Sequence, residues 1–196
     1  MSRCSRGRPS HRKHVRVVGG VARGRSLKSP PAGVRPTTDR VREALFDALE
    51  ARGVKFEQML DVFAGSGALG IEALSRGDGR CDFVESYAKA AATIRENLVS
   101  TGFEARGRVF QMRAEHAPKR LEKQYALLFL DPPYDDEASA RAVTRIADSR
   151  LIAPEATLVL EHSSRSEAPT CLGRLKLDWS RRYGDTQVSM YQEEAP

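Results

Sequence analysis

From residue 57 onward the chain alternates short apolar runs with amphipathic stretches of helical period, and this alternation is its strongest constraint on fold. The runs at 59–64, 81–85, 108–112, 127–131 and 157–162 predict strands, while 67–76, 86–101, 114–123 and 136–149 predict helices. Strands that return through helices pair in parallel, so the pattern implies an α/β sheet with helices on both faces. Ala91, Ile94 and Leu98 share one face of the second helix, with Ser86 as its expected N-cap. The end of the chain differs: 174–183 and 187–192 read as strands joined at Gly184-Asp185, an antiparallel hairpin that completes a seven-stranded sheet.

Charge divides the chain. Residues 1–38 hold ten Lys or Arg and no Asp or Glu, leaving 22 basic and 26 acidic residues in the other 158. A basic segment on an acidic-leaning body suits a polyanionic partner whose phosphates it neutralises. Within that segment Val15–Val18 and the region of Arg25–Lys28 predict a small hairpin turning at Gly19-Gly20. Thr37 or Thr38 can cap the helix that follows, in which Val41, Ala44, Leu45, Ala48 and Leu49 form one apolar stripe.

In a parallel sheet, ligands bind at the carboxyl ends of the strands. The first strand runs into Asp61-Val62-Phe63-Ala64-Gly65-Ser66-Gly67-Ala68-Leu69-Gly70, where glycines allow a tight turn directly into a helix. Gly65 to Gly70 matches G-x-G-x-x-G, which by itself fits a nicotinamide dinucleotide or S-adenosylmethionine. Asp61 favours the second, because a carboxylate there repels a pyrophosphate but meets an ammonium group through water or backbone. A dehydrogenase's separate substrate domain also has no room here. Glu85 ends the second strand, where an acid accepts hydrogen bonds from ribose hydroxyls of either nucleotide.

The fourth strand delivers Asp131-Pro132-Pro133-Tyr134. An exocyclic base amine is a poor nucleophile, since its lone pair is delocalised into the ring. Catalysis needs acceptors that fix its N–H bonds and aim the lone pair at a methyl carbon. The Asp131 carboxylate and the Pro132 carbonyl are such acceptors, and the prolines contribute no donor. Tyr134 offers a flat face for an unstacked base. Asp135-Asp136-Glu137 reads as acids at a helix N-terminus rather than a metal site.

Cys4, Cys81 and Cys171, and His11, His14, His116 and His162, are too scattered for a disulfide framework or a metal site. Without an apolar run of membrane-spanning length or a signal core, the expectation is a cytoplasmic protein.

The glycine loop and D-P-P-Y together resemble the amino-group methyltransferases of nucleic acids. Three further blocks narrow the likeness: Arg16-Val17-Val18-Gly19-Gly20 with Arg25, Arg35 to Phe46, and Arg182-Tyr183-Gly184-Asp185-Thr186. They resemble the RsmD family over about residues 15 to 192. The resemblance implies a Rossmann-like class I methyltransferase fold, S-adenosylmethionine as cofactor with S-adenosylhomocysteine as product, and no metal. It implies transfer to the N2 amine of one guanine in 16S ribosomal RNA, at position 966, within an assembled or nearly assembled small subunit. Asp131, Pro132 and Tyr134 are then catalytic. Asp61, Phe63, Ala64, Gly65, Ser66, Gly67, Glu85, Ser86 and Ala114 bind the cofactor. Arg16, Arg25, Arg35, Thr37, Arg40 and Arg42 handle RNA. Residues 1–14 form a basic tail, 15–52 an RNA-contacting extension and 53–196 the methyltransferase domain of a monomer. Rival readings are an adenine-N6 methyltransferase, a nicotinamide-dependent oxidoreductase, and a non-catalytic RNA-binding assembly factor.

Overall fold

The structure, a computed structural model, describes residues 15–29, 38–133 and 136–193. Strands β3 (Gln58–Val62), β4 (Arg80–Glu85), β5 (Gly107–Gln111), β6 (Tyr125–Leu130) and β7 (Ile152–Ser163) run parallel. Beyond β7 the sheet continues antiparallel through β8 (Cys171–Leu172), β9 (Leu175–Tyr183) and β10 (Thr186–Gln192), in the order β5-β4-β3-β6-β7-β10-β9-β8. The sheet thus has eight strands rather than seven, because Cys171 and Leu172 pair with the start of β9.

Alternation along each strand divides the core in two. Met59, Leu127, Phe129, Val159, Val188 and Met190 face α1 (Asp39–Ala51), α2 (Ala68–Arg76) and α3 (Ala88–Thr101). Leu60, Val62, Leu128, Leu130, Leu158 and Leu160 face α4 (Ala117–Arg120) and α5 (Glu137–Ala147). The predicted helix over 114–123 is only a 3-10 turn at Ala114–His116 followed by the four residues of α4. Pro118, which cannot donate to an i−4 carbonyl, lies at its first turn.

The hairpin of β1 (Val15–Arg16) and β2 (Ser26–Leu27) lies against α2 and shares its core, burying Val15, Val17, Ala22 and Leu27. Glu72, fully buried on α2, accepts the backbone N–H groups of Val18 (2.8 Å) and Gly19 (2.7 Å). Its carboxylate also accepts from Arg76 Nε. Ser75 Oγ accepts from the Ala22 N–H and donates to the Gly19 carbonyl. Asn97 on α3 pairs with both the N–H and the carbonyl of Lys28, and donates to the carbonyl of Ser66. Thr38 caps α1 by accepting from Val41 N. Val41, Leu45 and Leu49 are buried along the predicted stripe, Ala44 and Ala48 only in part, and Phe46 adds the bulk.

Candidate active site

Strand β3 sits between β4 and β6, so chain direction across the sheet reverses there and a crevice opens at the carboxyl ends of β3 and β6. A cleft of about 1030 Å³ occupies it, at the upper end of the range for small-molecule sites. Phe63, Gly65, Glu85, Ser86, Met112 and Ala114 form one part of its lining, and Asp131, Pro132, Glu161, Arg40, Arg181 and Tyr183 another.

The glycine loop is held from below. Asp61 lies behind the cleft, 2% exposed, and its Oδ2 accepts the N–H of Gly70 at 2.9 Å. That bond places a carboxylate at the N-terminal turn of α2, where a pyrophosphate would otherwise bind. Burial, opposed by the Gly70 hydrogen bond, pushes the Asp61 carboxyl up to about 8. Gly67 caps α2 at φ 76°, a conformation costly for any residue with a Cβ. Gly70 is required for a different reason: a Cβ there would stand 2.3 Å from the Phe83 ring. Phe63 has φ 61° without being glycine, so the loop stores strain of about 1–2 kcal/mol at a residue that lines the cleft.

Glu85, 9% exposed, ties the two cofactor-side loops together. Its Oε2 accepts from Gly65 N at 2.9 Å and its Oε1 from Tyr87 N at 2.8 Å. The N-cap of α3 is Tyr87, one residue later than expected and with no side-chain cap, and Ser86 instead lines the cleft. Each Glu85 oxygen keeps a second lone pair for a hydroxyl. Ala114 lies in the cleft wall with Met112 and Glu115, at the end of β5. Ala64, Ser66 and Gly67 belong to the loop but do not line the cleft.

Across the cleft, the Asp131 N–H approaches the Val62 carbonyl at 3.4 Å, joining the fourth-strand loop to β3. Asp131 opens onto the cleft while most of it is sunk in the protein. Its carboxyl is raised well above the ordinary range, first by burial and then by the nearby Glu161 and Asp61. Asp136 caps α5, accepting from Ala138 N and Ser139 N. Tyr134, Arg35 and Thr37 lie outside the described residues.

The arginines fare differently from one another. Arg40 lines the cleft beside Thr38. Arg16 pairs with Asp39 at 2.9 Å and Arg25 donates to the Ser100 carbonyl, both exposed and away from the cleft. Arg42 is a correction: it is fully buried, donating to the Arg16 carbonyl and to Asp39. Packed under the N-terminal hairpin, it has no surface with which to meet RNA. Its Nε and Nη1 find no hydrogen-bond partner among the described residues. Glu161 and Arg181 carry no motif of their own in the sequence, and Tyr183 stands there only within the Arg182–Thr186 block. Arg181 stacks over the Tyr183 ring at 5.5 Å, and the β9–β10 turn brings both to the cleft.

Comparison with known proteins decides the family. The family described as conserved hypothetical protein 95 matches residues 15–192. Ribosomal RNA small subunit methyltransferase D of Escherichia coli K12 is 34% identical over 182 residues, covering 92% of this chain and 91% of that protein. The chain belongs to the RsmD family. The solved structure of yhhF from Escherichia coli, 33% identical, superposes with a TM-score of 0.81 over 93% of this chain and 99% of that one. An RNA methyltransferase from Salinibacter ruber, solved with S-adenosylhomocysteine, shares the fold at 18% identity, with a TM-score of 0.59 over 83% and 97%. The fold of this RsmD-family chain is that of class I methyltransferases. Among the described residues no helix is long and apolar enough to cross a membrane, and no cluster of His, Cys, Asp and Glu is arranged to hold a metal.

Proposed function

We propose that this RsmD-family chain transfers the methyl group of S-adenosylmethionine to the N2 amine of a guanine in small-subunit ribosomal RNA, as a cytoplasmic monomer acting on the assembled or nearly assembled subunit. The observation that carries the reading is the meeting of Asp131 with the glycine loop at the reversal point of the sheet, in one cleft. Glu85, Glu161 and Asp131 line that cleft and Asp61 lies behind it. On the cofactor side, the charge set of Glu85 with Asp61 behind it, and Arg113 paired with Glu115, suits a ligand with an ammonium group and opposes a dinucleotide's pyrophosphate. S-adenosylmethionine, when bound, supplies a methyl carbon already activated by positive sulfur. The cleft volume accommodates both a nucleoside cofactor and a flipped base.

The residues then act by position and charge. Glu85 is placed to accept the ribose hydroxyls, and the 112–115 wall to flank the adenine. Asp131 and the Pro132 carbonyl hold the N–H bonds of the amine so that its lone pair points along the methyl–sulfur bond. As the N–C bond forms and the C–S bond breaks, the nitrogen becomes cationic, and Asp131 is the acceptor for its proton. The ionised Asp131 this requires is favoured by the positive cofactor. Arg40 and Arg181, at the cleft mouth, are placed to meet phosphates on either side of the base.

The test is genetic and chemical together. In cells lacking this protein, small-subunit RNA should lose one N2-methylguanine, which the wild-type gene restores and the Asp131→Ala gene does not. An unchanged nucleoside profile, or the loss of N6-methyladenine instead, would refute the assignment.

A further inference from the structure

Two carboxylates, not one, face the substrate side of the cleft. Leu130 and Leu160 are register partners on the parallel strands β6 and β7, so Asp131 and Glu161 each follow a paired residue. They therefore stand side by side, Asp131 just past the end of β6 and Glu161 on β7, where neighbouring strands lie about 4.8 Å apart. Leu130 and Leu160 both face the α5 side, which turns Asp131 and Glu161 together towards the α1 side, where Thr38, Arg40 and Val41 line the cleft. Glu161 is 6% exposed and lines the cleft. The two acids are close enough that Glu161 raises the Asp131 carboxyl. One carboxylate suffices to hold an amine. Keeping a second buried acid beside it is costly, and orienting the amine does not account for it.

We infer that Glu161 is the residue that selects guanine, by accepting the hydrogen of the ring N1–H next to the reacting amine. This assignment rests on the guanine reading above. On guanine's pairing edge the N1–H and the N2 amine are adjacent donors, and two adjacent acceptors match them. On adenine the ring nitrogen next to the amine is itself an acceptor, and its lone pair would face the Glu161 carboxylate. A carboxylate has two oxygens, and one is enough to take the N1–H. The division of labour is specific: Asp131 holds the amine that reacts, and Glu161 reads the neighbour that does not.

The test uses small subunits reconstituted with RNA carrying either guanine or 2-aminopurine at the methylated position. 2-Aminopurine keeps the amine but has an acceptor in place of N1–H. The full-length enzyme should prefer guanine by about 100-fold or more in kcat/KM, as expected when a buried polar group is left opposed. Glu161→Gln changes no volume, and its amide NH2 can donate to the 2-aminopurine ring nitrogen. The preference should fall at least about tenfold while S-adenosylhomocysteine still binds. A residue with only a structural role would lower both rates together. A wild-type enzyme that methylates the guanine, with a Glu161→Gln enzyme that keeps the full preference, overturns this assignment and leaves the function intact. A wild-type enzyme that methylates no guanine in the subunit removes both.

Discussion

Asp61→Asn should make the cofactor-free protein more stable, and increasingly so as pH rises. The native Asp61 carboxyl is buried behind the cleft and titrates at about 8, against about 3.9 in an unfolded chain. Between those values the folded state holds a proton that the unfolded state has released. The contribution of a raised carboxyl is therefore full below pH 3.9 and is lost as pH climbs to 8. The loss is about 1.4 kcal/mol per pH unit, so roughly 2.5 kcal/mol between pH 5 and pH 7. Asparagine keeps an oxygen to accept the Gly70 N–H, 2.9 Å away in the native protein, but never ionises. Urea unfolding of both proteins at pH 5, 6 and 7 without cofactor should give stability curves that diverge by that slope. Asp131 titrates in both proteins and largely cancels; what coupling it has to Asp61 widens the gap in the same direction. S-adenosylhomocysteine, whose ammonium favours the ionised Asp61, should flatten the wild-type slope and bind the variant less tightly. Parallel curves would refute the argument that this carboxylate is held at a cost for the sake of a cationic ligand.

Three further outcomes follow from the same geometry. Because Asp131 must be ionised to accept a proton and its carboxyl is raised, kcat/KM for methyl transfer should rise with pH above the ordinary carboxylate range; a profile flat from pH 5 upward would contradict this. Glu72→Ala strands the Val18 and Gly19 N–H groups, while Arg76 keeps its pairing with Glu50, and should cost about 2–4 kcal/mol, with hydrogen exchange rising first in the hairpin of residues 15–27. Gly70→Ala forces a methyl into the Phe83 ring and should cost about 1–3 kcal/mol in urea unfolding.

Much of the fold was legible because its signals are local. Strands such as Leu127–Leu130 are apolar throughout because both faces are covered, and Gly65, Gly67 and Gly70 punctuate the turn into α2. What escaped is tertiary. Nothing in Asp39-Arg40-Val41-Arg42 says that Arg40 reaches the cleft while Arg42 is sealed beneath a hairpin that precedes it by some two dozen residues. Ser86 reads as an N-cap by residue type, yet α3 begins one residue later, with Tyr87 at the cap position and Ser86 in the cleft wall. Glu161 did carry a signal: Leu158-Val159-Leu160-Glu161 repeats the form of Phe83-Val84-Glu85, an acid at the carboxyl end of a parallel strand. Its closeness to Asp131 depends on β7 pairing with β6, and that adjacency is not written in either segment.

The most direct measurement of the central claim is transfer of labelled methyl from S-adenosylmethionine by the purified protein to small ribosomal subunits isolated from cells that lack it. The account predicts label in N2-methylguanine at a single position, and none with Asp131→Ala even though that variant still binds S-adenosylhomocysteine. Label appearing undiminished with Asp131→Ala, or no binding of S-adenosylhomocysteine by the wild-type protein, would contradict it.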